Sequence, residues 1–335
     1  MSETKDYERT IKLAETGVAQ AVFGPLHRHV AHIQEAFRDP NAPRGAPSYR
    51  VTLDAQGDEL RVRARSQADL ERVQRIVDSL AEMARRKARV REGEVLAAIS
   101  LSEGQTGAPP GPMTLPQVGG LTLRTPRQVH YVEALRDENI DLIFGVGPAG
   151  TGKTFLAVAA AVEAMKQERV DRIIVTRPAV EAGEKLGYLP GDLAEKVDPY
   201  LQPIWDAFRS QMGENDLKTR RERRQIEVAP LAFMRGRTLS NAFVIVDEAQ
   251  NATILQMKMV LTRLGEGSRM VVTGDPSQID LVRADQSGLA HAISILERID
   301  GVEIIRFAAQ DVVRHRLVAQ IVQAYDRDET GHGKL

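Results

Sequence analysis

The chain has 335 residues and 37.0 kDa, of which 42% are hydrophobic and 27% charged, enough to bury a sizeable core and to divide into about two domains. Its 45 Lys and Arg balance 46 Asp and Glu for a net charge of −1, so no global field draws it to nucleic acid or an anionic membrane, and any such contact must be local. The absence of cysteine excludes disulfides, thiolate metal sites and cysteine nucleophiles, and suits a reducing compartment.

The opening stretch, MSETKDYERTIKLAE, is charged and lacks the apolar core of a secretory signal, and no apolar run reaches the roughly 18 residues of a membrane helix. A cytoplasmic protein with no membrane partner is expected. Residues 16–37 predict a helix, and Asp39 to Ser48 a proline-rich loop. Two short strand patterns follow; in the second, Leu60, Val62 and Ala64 alternate with Arg61, Arg63 and Arg65, which puts the guanidinium groups on one sheet face. Leu70, Val73, Ile76, Val77 and Leu80 then recur at helical spacing, with Arg72, Arg75, Arg85, Arg86 and Lys87 elsewhere around the helix. Residues 1–101 thus read as a small α-β-β-α unit with a basic surface. In residues 102–120, Gly and Pro fill nine of nineteen positions, the composition of a linker.

From 121 to 335 strand patterns alternate with helical ones: Leu142 to Val146, Arg172 to Thr176, Phe243 to Asp247, Met270 to Gly274, and Val302 to Phe307. Such alternation predicts an α/β domain with a mostly parallel sheet covered by helices. The polar, basic segment 213–224 reads as a loop or a solvated helix.

The first of these strands runs into Gly147, Pro148, Ala149, Gly150, Thr151, Gly152, Lys153 and Thr154, and then into FLAVAAAVEAM. This is a complete Walker A loop between a strand and a helix. Its glycines let successive backbone N–H groups face a phosphate, and the helix adds its positive end. Lys153 is expected to meet the β and γ phosphates, and Thr154 to put its hydroxyl on Mg²⁺. The plainer alternative is a glycine-rich turn opening a buried helix. A second buried run, Phe243 to Val246, ends in Asp247 and Glu248. Beside a Walker A loop it reads as Walker B, with Asp247 in the Mg²⁺ shell and Glu248 polarising the attacking water. No DxxG turn stands at that strand, and the nearest approach to NKxD is Glu195, Lys196, Val197 and Asp198, so ATP is preferred over GTP. A third strand ends in Gly274, Asp275, Pro276, Ser277 and Gln278. Gln278 suits a sensor of the γ-phosphate and water, since an amide brings no competing charge; the alternative is a plain Asp-Pro turn.

The Walker A loop, TRPAVEAGEKLGYLPGDL from Thr176, APLAFMRGRTL from Ala229, VDEAQNAT from Val246 and VVTGDPSQIDL from Val271 together resemble the PhoH-like ATPases, also called phosphate-starvation-inducible proteins. The resemblance covers about residues 121–325, and more loosely 16–90. It implies a RecA-like P-loop NTPase fold related to the superfamily 1 helicase core, ATP and Mg²⁺ as ligands, and ATPase activity in the cytoplasm. Mapped by motif, Gln128 is the candidate adenine contact and Arg314 the candidate arginine finger. From the residues alone these two read as a solvated helix start and a surface charge. The chain departs from the family pattern where Arg316 and Val282 stand at common proline positions, which leaves the finger open between Arg314 and Arg316.

Superfamily 1 helicases place ATP between two RecA-like domains, whereas Gln278 lies 57 residues from the end of this chain, too few for a second domain of about 100 residues. A homo-oligomer is therefore expected, a ring such as a hexamer, with nucleotide at subunit interfaces. The N-terminal unit is compatible with a KH-like fold, a view the resemblance encourages. KH domains clamp RNA through a GxxG loop between helices; no match precedes residue 92, and Gly104 to Gly107 falls in the linker. Arg61, Arg63, Arg65 and the run from Arg85 to Arg91 remain as electrostatic phosphate contacts, or as a solvated face. The working expectation is an ATPase coupled to RNA remodelling, unwinding or rRNA maturation, the last with an endoribonuclease partner that the resemblance alone implies. The rival is a nucleotide-gated assembly switch with slow hydrolysis and no nucleic-acid substrate. A small-molecule kinase is disfavoured, because it must exclude the water that Glu248 and Gln278 invite.

Overall fold

The computed structural model describes residues 6–39, 48–87, 89–103, 111–178, 193–281 and 287–313, together with Val318 and Ile321. Arg314, Arg316, Val282, most of the block after Pro178 and the Gly104 to Gly107 match lie outside the described residues. The chain divides into two units, 1–129 and 130–335, later than the boundary at 120 read from composition.

The first unit runs β1 (Tyr7–Lys12), α1 (Thr16–Phe23), α2 (Arg28–Glu35), β2 (Val51–Gln56), β3 (Glu59–Ala64), α3 (Gln67–Lys87) and α4 (Glu92–Ser102), followed by the two-stranded hairpin β4 (Gln117–Val118) and β5 (Leu121–Thr122). It is therefore β-α-α-β-β-α-α rather than the expected α-β-β-α. β1 escapes the sequence pattern because, of YERTIK, only Ile11 is buried; one inward residue makes no alternation. The sheet is antiparallel in the order β1-β3-β2, with Ile11 opposite Leu60 and Leu53 opposite Val62.

The single helix expected over 16–37 is broken at Gly24. That residue takes φ 71°, and a Cβ there would lie 2.6 Å from the His29 ring, so only glycine passes. Pro25 follows, and Leu26 (φ 50°) and His27 (φ 56°) continue in left-handed backbone. The corner reads Gly-Pro-Leu-His, so the absence of a GxxG match stands.

The basic reading of α3 also needs correction. Arg75 is buried, and Arg72 turns inward: it donates to Ser102 Oγ at 2.8 Å and to the Ile99 carbonyl, and its guanidinium sits 4.8 Å from the Phe37 ring centroid. Arg72 thereby fastens α3 to α4 and to the core. Part of the supposed linker packs as well, since Met113 and Leu115 join the same apolar core and the Met113 N–H donates to Ser79 Oγ at 2.7 Å.

α5 (Pro126–Arg136) spans the division. The second unit then follows as β6 (Leu142–Val146), α6 (Lys153–Lys166), β7 (Arg172–Arg177), α7 (Leu193–Met212), α8 (Glu214–Glu222), β8 (Ile226–Pro230), β9 (Ala242–Val246), α9 (Ile254–Leu261), β10 (Arg269–Gly274), α10 (Gly288–Leu296) and β11 (Val302–Arg306). All six strands are parallel, in the order β11-β6-β10-β9-β7-β8. β6 and β9 are buried at every residue, as strands covered on both faces must be. The five strands expected from sequence are present to within one residue at either end; β8 is added, and the polar segment after Gly213 forms α8.

β10 lies between β6 and β9. Three consecutive positions along one sheet edge therefore end in the glycine-rich loop, the Gly274 to Gln278 turn and the acid pair. In a parallel sheet those carboxyl ends are where ligands collect.

Candidate functional site

The loop from Gly147 to Gly152 connects β6 to the alanine-rich α6, and its entry demands glycine. Gly147 has φ 140°, and a Cβ there would meet the Phe307 carbonyl at 2.4 Å. Backbone bonds hold both ends: Gly147 N–H donates to the Gly274 carbonyl (3.1 Å), and Val313 N–H to the Gly150 carbonyl (2.9 Å). Lys153 opens α6 and is buried. Its ammonium donates to the carbonyls of Gly147 (2.6 Å) and Pro148 (2.7 Å) and to Thr151 Oγ1 (3.3 Å). Burial pushes this amine below the usual lysine value, against the opposing pull of Asp275, Glu248 and Asp247.

Thr154 is one residue further on, and its hydroxyl donates to Asp247 Oδ1 at 2.6 Å. Asp247 sits at the end of β9 and is buried. Its Oδ1 also accepts from Thr273 Oγ1 at 2.7 Å, across from β10, and its N–H donates to the Thr176 carbonyl on β7. The Thr154 hydroxyl and the Asp247 carboxylate thereby lie side by side, a pair of hard oxygen donors of the kind that would suit Mg²⁺ sharing its remaining positions with phosphate and water. No group of three His, Cys, Asp or Glu suited to a metal occurs among the described residues.

Glu248 stands in left-handed backbone, φ 52° and ψ 38°, which costs a non-glycine residue about 1–2 kcal/mol. Its carboxylate is engaged at both oxygens. Arg177, at the end of β7, approaches Oε1 at 3.2 Å, and Gln250 Nε2 donates to Oε2 at 2.6 Å. Gln250 is buried, and its other amide atom accepts the Asp275 N–H at 3.0 Å. Asp275 in turn takes the Ala149 N–H on Oδ2 (3.1 Å) and the N–H and hydroxyl of Ser277 on Oδ1. One side-chain network therefore ties acid pair, β10 turn and loop together. Sequence reading missed Gln250, Thr273 and Asp275, although each stands at or next to a strand end already singled out.

A pocket of about 270 Å³ is lined by Ala149, Gly150, Gly152, Lys153, Thr154, Phe155, Asp247, Glu248, Gly274, Asp275 and Gln278. The structure thus brings the loop, both acids and Gln278 to one cavity. Gln128 is buried; its Oε1 accepts the Arg124 N–H at 2.8 Å and its own N–H donates to Thr125 Oγ1. These bonds make it part of the cap that starts α5.

A parallel α/β sheet, a strand–loop–helix unit of this composition and an acid pair closing the same cavity define a P-loop nucleotide-binding protein. The family model described as "PhoH-like protein" matches residues 120–326, and the chain belongs to that family. It is 57% identical over 207 residues to a PhoH-like protein of Bacillus subtilis, covering 62% of this chain and 64% of that one. Identity is 56% over 217 residues to the PhoH-like protein of Mycobacterium tuberculosis, covering 64% and 61%. It is 48% over 204 residues to Protein PhoH of Escherichia coli K12, covering 60% and 57%. The chain spans about three-fifths of the length of these curated relatives. Among solved structures, the SWI2/SNF2 ATPase core of Sulfolobus solfataricus in complex with dsDNA aligns at 15% identity and a TM-score of 0.35, over 58% of this chain and 47% of that one.

Proposed function

We propose that the protein binds ATP with Mg²⁺, hydrolyses it, and couples the hydrolysis to work on RNA. The observation that carries the hydrolytic part is the single cavity shared by Lys153, Thr154, Asp247, Glu248 and Gln278. In this reading the loop N–H groups and Lys153 grip the β and γ phosphates, and Thr154 with Asp247 would hold Mg²⁺, which when bound neutralises phosphate charge. Glu248 takes the proton of a water that attacks the γ phosphorus; the bond to the β–γ bridging oxygen breaks, and ADP leaves with that electron pair. Gln278 orients the water and steadies the transferred group.

The partners follow as part of the same proposal. Nucleotide lies at the interface of a homo-oligomeric ring, with Arg314 or Arg316 supplied by a neighbour, since a transition-state arginine is worth roughly 10³–10⁵ in rate. RNA is the substrate, an rRNA-maturation endoribonuclease is the candidate partner, and the cytoplasm is the compartment. No helix among the described residues is long and apolar enough to cross a membrane. One observation favours the rival, a nucleotide-gated switch: Glu248 is held at both oxygens by Arg177 and Gln250, which suits slow basal turnover.

Phosphate release measured with and without single-stranded RNA over a range of salt separates the two. Stimulation that fades as salt rises is the expected result, because ions displace phosphate contacts. Rates that are flat at every salt concentration, with or without RNA, would favour the switch and remove RNA from the account.

A further inference from the structure

In an extended strand successive side chains point to opposite faces, yet Asp247 and Glu248, adjacent in sequence, both line the nucleotide cavity. The left-handed backbone at Glu248, φ 52° and ψ 38°, brings the second acid round beside the first. A non-glycine residue keeps such a conformation only where its surroundings hold it. Two side chains hold Glu248, and they differ in kind.

Gln250 is buried, and its other amide atom is tied to the Asp275 N–H. Its grip on Oε2 thus belongs to the network that also holds Ala149 of the loop. Arg177 comes from a different element. β7 runs parallel to β9 with Thr176 opposite Val246, so Arg177 is the first residue beyond that pairing, and its Nη2 lies 3.2 Å from Glu248 Oε1. Arg177 is not among the residues that line the cavity, whereas Lys153 and Gln278 are. The guanidinium therefore draws one carboxylate oxygen toward a group outside the cavity. The two side chains are 27% and 34% exposed, so this contact is open to water and ions and is the weaker and more easily exchanged of the two.

We infer, resting on the reading of Glu248 as the base of the hydrolytic step, that Arg177 is a positioning residue that restrains this carboxylate and keeps basal turnover low. A general base must bring an oxygen within about 2.6–3.2 Å of the water whose proton it takes. With Oε2 held by Gln250, Oε1 is the oxygen that can turn to the water, and the Arg177 contact opposes that turn. The Gln250 bond acts as the pivot. The restraint is partial, because each carboxylate oxygen has a second acceptor position; turnover persists in the held geometry and rises when the Arg177 contact opens.

Steady-state phosphate release by the full chain, without RNA, tests this, with kcat and KM for ATP measured separately on the parent, Arg177→Met, Glu248→Gln and the double variant. Methionine keeps much of the arginine stem and removes the charge. Arg177→Met should raise kcat about three- to fivefold, the rate equivalent of a partly exposed ion pair, with KM within about twofold of the parent's. In the Glu248→Gln background the same substitution should leave kcat within about twofold of the single variant, because Arg177 acts through Glu248. Circular dichroism confirms folding. Should Arg177→Met not fold, Arg177→Lys carries the test: its point charge lacks the planar fork that meets a carboxylate, and kcat should rise about twofold. An unchanged or lower kcat in the variant that folds overturns the restraint, and a fall of tenfold or more would put Arg177 on the transferred phosphate instead. An equal rise in the double variant also overturns it, since the effect then bypasses Glu248. In those cases the base assignment stands as long as Glu248→Gln alone is slow. Parent-like turnover in Glu248→Gln removes the base assignment and the restraint together.

Discussion

Gln250→Met isolates the network behind the nucleotide cavity. The substitution keeps volume and removes both side-chain bonds: the one donated to Glu248 Oε2 at 2.6 Å and the one accepted from Asp275 N–H at 3.0 Å. Gln250 is 1% exposed, so water does not replace the lost acceptor, and an unsatisfied buried N–H costs about 1–3 kcal/mol. The bond to Glu248 is charge-assisted, but that side chain is 34% exposed, so solvent recovers much of it and about 1 kcal/mol is a fair share. The sum is a loss of about 2–4 kcal/mol in the second unit. Trp205 is the single tryptophan of the chain and is buried in α7, so its fluorescence during urea unfolding reports on that unit. Turnover should fall about tenfold, because Glu248 keeps only Arg177 as an anchor, whereas ATP affinity should change less than about twofold, because Gln250 sits behind the cavity wall. An unfolding midpoint and a kcat both equal to the parent's would refute the network as an organising element.

Other consequences follow from the same geometry. Burial holds the Lys153 amine below its usual value, and an arriving triphosphate raises it again. ATP binding should therefore take up as much as one proton in the alkaline window between the two values, and affinity should fall as pH rises through that window. Titration calorimetry in buffers of different ionisation enthalpy measures the uptake, and Lys153→Arg, which stays charged, should show none. Thr273→Val removes the 2.7 Å bond to Asp247 Oδ1 at a cost of about 1–2 kcal/mol. It should also raise the Mg²⁺ concentration needed for nucleotide binding several-fold in a fluorescent-nucleotide titration, and an unchanged Mg²⁺ requirement would show that Thr273 does not position the carboxylate.

The nucleotide loop is legible in the sequence because its chemistry is contiguous: eight residues carry the turn, the cation and the hydroxyl, and the flanking runs show strand and helix without tertiary help. Asp247, Glu248 and Gln278 are legible at one remove, as polar residues ending buried strands. Gln250, Thr273 and Asp275 are not, since their roles depend on which strands are neighbours. The placing of β10 between β6 and β9 sets Thr273 against Asp247, and no local pattern encodes it. β1 and β8 are missed for a related reason, their identity coming from partners rather than from alternation. The basic unit misleads most. Arg72 and Arg75 look like surface charge on a helical wheel, yet Arg75 is buried and Arg72 ties α3 to α4.

The account depends most on Lys153 holding a triphosphate while Glu248 works on the water, and one paired measurement tests it: ATP binding by equilibrium dialysis and phosphate release, each on Lys153→Ala and Glu248→Gln. Lys153→Ala should lose at least tenfold in binding. Glu248→Gln should bind ATP as the parent does and release phosphate roughly 10² times more slowly. Parent-like turnover in Glu248→Gln, or an equal loss of binding in both variants, would contradict the roles assigned to these two side chains.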